Sequence, residues 1–121
     1  MVERRKSERS RFGYYMPVLE SSTLETVGHL SDISGIGFKL DCQRELPLNR
    51  DYRLRIDLTP DVANKSSMSF VARTKWCARD RFEPLVFNVG FELIDISPGD
   101  ADIFRRINEK YGMHDKRDTP F

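Results

Sequence analysis

From Arg53 to Leu58 the chain alternates residue by residue. Leu54, Ile56 and Leu58 fall on one side, with Arg53, Arg55 and Asp57 on the other. This period of two is that of a half-buried β-strand. The same reading predicts strands at Tyr14–Leu19, Thr26–Ser34, Gly37–Asp41, Ser69–Ala78 and Val86–Ile94, and in the last of these Phe87, Val89, Phe91 and Leu93 share a face. Pro17 cannot donate to a ladder, which predicts an edge or a bulge for the first strand. Asn49-Arg50-Asp51 and the polar stretch 59–66 are turn-rich connections. Several short strands at this spacing predict a mainly β fold, a closed antiparallel barrel or a sandwich.

The period changes in SPGDADIFRRINEKYG. Ser97 suits an N-cap and Pro98 the first helical position, and Asp100 stands where it could complete a reciprocal capping arrangement. Ile103, Phe104, Ile107 and Tyr111 repeat at helical spacing, and Gly112 is placed to end the helix. Such a stripe is a packing face, so the helix is expected to lie against the barrel or close one end. The segment 113–121 has nothing to bury and is expected to be disordered.

Composition narrows the class. In 121 residues, 39% are hydrophobic and 32% charged, which fits one globular domain with its own core. MVERRKSERSRF lacks the apolar segment of a signal peptide, and no run elsewhere is long enough to span a bilayer. A cytoplasmic protein without membrane insertion is expected. Cys42 and Cys77 then read as small buried hydrophobes rather than a disulfide or metal pair. His29 and His114 have no further ligand at metal-like spacing, which argues against zinc.

Charge is unevenly placed. Residues 1–12 hold five basic and two acidic side chains, a local charge of +3 in a chain of net +1, so the remainder carries −2. A basic arm on a mildly acidic body points to an anionic partner for the arm. Catalytic signatures are missing: the sequence holds no GxSxG, HExxH or GxxxxGK[ST]. The glycines of GIG lead into a strand, whereas a dinucleotide fingerprint leads into a helix. The expectation is a binding protein without enzymatic activity or cofactor.

Two segments remain, ERRKSER and DISGIG. In an extended arm Arg5 and Arg9 point to one side. Guanidinium can grip phosphate or the O6/N7 edge of guanine with two donors, or stack on a base. Asp32 and Ser34, two apart on a strand, face outward while Ile33 turns inward. A carboxylate there can accept both N–H groups of a guanine Watson–Crick edge, with the Ser34 hydroxyl beside it. Gly35 and Gly37 would let the chain bend and a flat ligand approach the backbone.

These residues carry a family resemblance. Arg5 and Arg9 match an RxxxR motif, and Asp32, Ser34 and Gly37 match (D/N)xSxxG. Their order and separation resemble the PilZ domain, a receptor for the bacterial second messenger cyclic di-GMP. KWCARD, NVGFELID and the terminal helix extend the resemblance over roughly Glu3 to Gly112. It implies a six-stranded antiparallel β-barrel, residues 13–112, with a C-terminal helix packed on it and a flexible arm, residues 1–12, wrapping over ligand. Arg5 and Arg9 would hold guanine edges and phosphates, Asp32 and Ser34 would bond a guanine, and Gly37 would keep the turn open.

Arg4, just ahead of the motif, is associated in this family with an intercalated pair of cyclic di-GMP molecules. Four phosphate charges need the extra cation. Lys6 is a further candidate contact, and Trp76 one for stacking, although a core position is equally open to it. With no apolar residue to bury, the arm is expected to order on binding and change the surface that a downstream protein reads. That partner, in motility, polysaccharide or regulatory machinery, is not named by the residues, and a stand-alone adaptor is expected. One rival is a barrel that binds single-stranded nucleic acid. Against it stand the acidic body and the burial expected for Phe87, Phe91 and Trp76, so no DNA or RNA partner is expected. The other is a PilZ-like protein-interaction module with an idle site.

Overall fold

The computed structural model describes residues 15–34 and 36–111. Six antiparallel strands form a closed barrel: β1 (Pro17–Glu20), β2 (Thr26–Ile33), β3 (Gly37–Cys42), β4 (Asp51–Asp57), β5 (Ser67–Arg79) and β6 (Phe87–Asp95). Around the barrel they run β1-β2-β3-β6-β5-β4, and β1 closes on β4 through Leu19 opposite Arg55. The sandwich alternative is thereby excluded. Closure leaves no free edge, so Pro17 has the remaining tolerated place at the start of its strand. A bulge follows at Val18/Leu19.

The alternation read from the sequence is what fills the barrel. Val18, Leu30, Phe38, Leu40, Leu54, Ile56, Phe70, Ala72, Val89 and Phe91 all point inward and are buried. Phe38 is the hub of this core. Its ring stacks on Phe91 with centroids 5.1 Å apart and meets the edges of Phe70 at 5.7 Å and Phe104 at 5.6 Å. Phe104 belongs to α1 (Pro98–Tyr111), whose buried face, Ile103, Phe104 and Ile107, packs into this cluster. The helix therefore completes the core rather than decorating it.

The helix start follows its sequence. The Ser97 hydroxyl accepts the Asp100 N–H at 3.2 Å. The Asp100 carboxylate turns to Lys65, 2.6 Å away, and so ties the helix start to the β4–β5 connection. At its other end Tyr111 donates its hydroxyl to Asp61 of the same connection at 2.5 Å, with Lys110 3.6 Å from that carboxylate. Thr59 bonds Asp61 as well. These bonds hold the Asp61 carboxyl down to about 2.

Bulges interrupt the alternation, and those in β2 and in the second half of β5 shape the outer wall. In β2, Leu30 pairs with Leu40 but Asp32 pairs with Lys39, leaving Ser31 as the extra residue with its hydroxyl donated to the Lys39 carbonyl. In β5, Thr74 pairs with Phe91 but Trp76 pairs with Gly90, leaving Lys75 as the extra residue. Thr74 stays inside. Its hydroxyl donates to the Pro47 carbonyl at 2.7 Å and accepts the Arg50 N–H at 3.0 Å, which satisfies a buried polar group.

Cys42 and Cys77 are free thiols, the first buried and the second half-buried, as their residue type suggested. Burial, reinforced by Asp41, pushes the Cys42 thiol up to about 12. No described helix is long and apolar enough to cross a membrane. The segments 1–12 and 113–121, for which a mobile arm and a disordered tail were expected, lie outside the described residues.

Candidate functional site

The bulges decide what the outer wall of the barrel displays. The extra residue Ser31 resets β2 so that Asp32 pairs outward with Lys39 while Ile33 pairs with Phe38 and packs on the core. Lys39 in turn pairs with Gly90 on β6, and Gly90 with Trp76 on β5. Asp32, Lys39, Gly90 and Trp76 thus form one row across four strands, about 14 Å from end to end at the usual strand spacing. A second row runs from Gly37 through Glu92 to Arg73 and Asp51.

A cavity of about 890 Å³ opens on these rows, lined by Ser34, Ile36, Gly37, Lys39, Lys75 and Trp76 among others. Its volume lies in the range of small-molecule sites. Ile36 at the β2–β3 turn is 75% exposed, and Trp76 is 41% exposed. An aliphatic side chain and an indole therefore share the cavity with Lys39, Lys75 and Glu92. Such a lining suits a flat aromatic ligand that carries negative charge.

The turn itself is held by backbone. Ser34 donates its N–H to the Gly37 carbonyl at 2.8 Å, and its hydroxyl reaches the same oxygen at 3.4 Å. The Leu93 N–H then bonds the Ile36 carbonyl at 3.0 Å, so the tip of the turn is stitched to β6. Asp32 accepts the N–H of Ile33 at 2.9 Å. Gly37 owes its identity to packing: it has no positive φ, and a Cβ there would run into the Phe91 carbonyl oxygen. At Gly90 the obstruction is the Trp76 indole, whose five-membered ring occupies the space of a side chain.

Of the residues singled out in the sequence, Ser34, Gly37 and Trp76 line one cavity, and Asp32 stands beside it opposite Lys39. Arg4, Arg5, Lys6, Arg9 and Gly35 lie outside the described residues. Trp76 requires a correction: counting by two from the buried Phe70, Ala72 and Thr74 puts it in the core, but the extra residue Lys75 turns it outward. Phe91 is buried, as expected, whereas Phe87 is only half-buried against the core. Sequence reasoning passed over Ile36, Lys39, Lys75, Gly90 and Glu92. Only Gly90 offered a hint, because glycine within a strand often marks a close approach. Among the described residues no group of three or more His, Cys, Asp or Glu side chains is arranged to hold a metal ion.

A closed six-stranded barrel, capped by a C-terminal helix and carrying a cationic and aromatic cavity on its wall, defines a small ligand-binding module. The family model of the PilZ domain matches residues 3–110. The chain belongs to the PilZ domain family, in general a family of cyclic di-GMP-binding receptors. Comparisons with curated proteins and with solved structures gave no match.

Proposed function

We propose that this protein binds cyclic di-GMP at the cavity beside the β2–β3 turn and acts as a signalling receptor or adaptor. Asp32 and Ser34 bond a guanine edge, Gly37 keeps the turn close to β6, and Arg5 and Arg9 hold guanine and phosphate. Arg4, aided by Lys6, supplies the added cation for an intercalated pair of ligands. Trp76 offers a stacking surface. The arm orders over the ligand and presents a changed surface to a downstream protein.

The observation that carries this reading is the convergence of Ser34, Gly37 and Trp76 on one cavity, next to the outward Asp32–Lys39 pair. The entry of β1 supports it. The Met16 carbonyl accepts the Leu30 N–H at 2.9 Å, and Pro17 stands opposite His29, antiparallel to β2. Followed backward, that direction leads along β2 toward Asp32. Arg9 lies six positions before Tyr15 in the chain. An extended chain of that length reaches about 20 Å, enough to cover the distance from His29 to Ser34.

Calorimetric titration with cyclic di-GMP tests the assignment and reads its stoichiometry. Two ligands per chain are expected, and a chain lacking residues 1–9 should lose binding. Absence of heat with the intact chain, or undiminished affinity without the arm, would overturn the reading.

A further inference from the structure

Lys75 and Glu92 belong to neither motif, yet both line the cavity. Lys75 faces outward by the plain alternation of β5, and the bulge there turns Trp76 to the same face beside it. Bulges are a common device for re-aiming a side chain at a site. Glu92 lies on the neighbouring strand opposite Gly37, and so at the foot of the β2–β3 turn. Its carboxylate stands 3.6 Å from the Lys75 ammonium, with side-chain exposures of 43% and 45%.

That separation is longer than a hydrogen bond. The Arg73–Asp51 pair closes to 2.7 Å and the Lys65–Asp100 pair to 2.6 Å. Arg73, across the ladder from Glu92, is engaged by Asp51 through two nitrogens. Lys75 is therefore the cation that Glu92 holds loosely at the cavity, and an anion seated closer to it in the cavity can draw it away. A phosphodiester is such an anion, whereas Glu92 itself repels one.

We propose that Lys75 is a phosphate contact supplied by the barrel wall and that Glu92 competes with the ligand for it, so that this pair sets the affinity of the site. The inference rests on the cyclic di-GMP reading above. In the empty protein Glu92 keeps Lys75 beside the indole of Trp76. On binding, Lys75 exchanges the carboxylate for phosphate, and the remaining charge of Glu92 limits how tightly the ligand is held. The acid makes the receptor release its messenger at higher concentrations than the cations alone would allow.

Titrations of cyclic di-GMP into the full chain and three variants test this. Glu92→Gln should tighten binding and Lys75→Gln should weaken it, each by about twofold to fivefold, the range for an exposed charge pair. The loss in Lys75→Gln should shrink as salt is raised. In the double variant, Glu92→Gln should tighten binding less than it does with Lys75 present. Unchanged or weaker binding in Glu92→Gln, no loss in Lys75→Gln, or equal tightening in both backgrounds would each overturn the proposal. Failure of the unmodified chain to bind would instead sink the receptor reading on which it rests. Both positions are on the surface, and circular dichroism of each variant confirms that the barrel is intact.

Discussion

The indole of Trp76 lies where a side chain on Gly90 would have to stand. The two residues pair across β5 and β6, and the bulge at Lys75 brings them to the outer face together. This fit between a missing side chain and a large one gives the cavity its aromatic wall.

Gly90→Ala should therefore act on the site more than on the fold. A half-exposed indole can swing aside, so the stability loss should stay below about 1 kcal/mol, while the displaced stacking surface should cost about fivefold or more in cyclic di-GMP affinity. Gly37→Ala should show the opposite balance. There the obstacle is the Phe91 carbonyl, which cannot move without the ladder, and a loss of about 1–3 kcal/mol in urea unfolding is expected.

Asp32→Ala and Arg9→Ala should each weaken cyclic di-GMP binding by about 1–3 kcal/mol, the range for a lost charged or two-point contact. Thermal unfolding should place both variants near the parent. A variant that melts normally and binds with undiminished heat would remove that residue from the site.

Acid should loosen the helix anchor. The bonds from Thr59 and Tyr111 hold the Asp61 carboxyl at about 2, below its ordinary value of 3.8. A group with a depressed folded value stabilises the protein above the unfolded value, and that contribution is lost as pH falls through the folded one. Melting temperature should drop between pH 4 and pH 2 by this route (about the interval between the two values). Asp61→Asn should flatten this part of the pH profile and leave a protein less stable at neutral pH.

The two thiols should differ in reactivity. Cys42 is buried and its thiol is pushed up to about 12, so little thiolate exists near neutrality. Alkylation by iodoacetamide followed by mass spectrometry should modify Cys42 only on unfolding. Rapid labelling of Cys42 in the native protein would show that this part of the barrel opens readily.

Much of the fold was legible in the residue order. Leu54 and Ile56 alternate with Arg53 and Arg55 because a barrel strand has one dry face and one wet face, and all six strands lie close to where this rule puts them. Ser97 and Pro98 marked the helix start for an equally local reason, the unsatisfied N–H groups of a first turn. Asp32, Ser34 and Gly37 by themselves read only as a polar turn. It was the resemblance of their spacing, together with Arg5 and Arg9, to the PilZ motifs that marked them as candidates.

The outward placement of Trp76 was not legible, and neither were the partners Lys39, Lys75 and Glu92. A bulge leaves no mark in the order of one strand, because it is defined by how residues pair with a second strand far away in sequence. One extra residue at Lys75 reverses the side on which every later residue of β5 falls. The sequence alone determined the strands, the helix and the polar turn, since these follow from neighbours along the chain. Only closure of the barrel decided which side chains share its wall, because pairing across β2, β3, β6 and β5 sets Asp32, Lys39, Gly90 and Trp76 in one row.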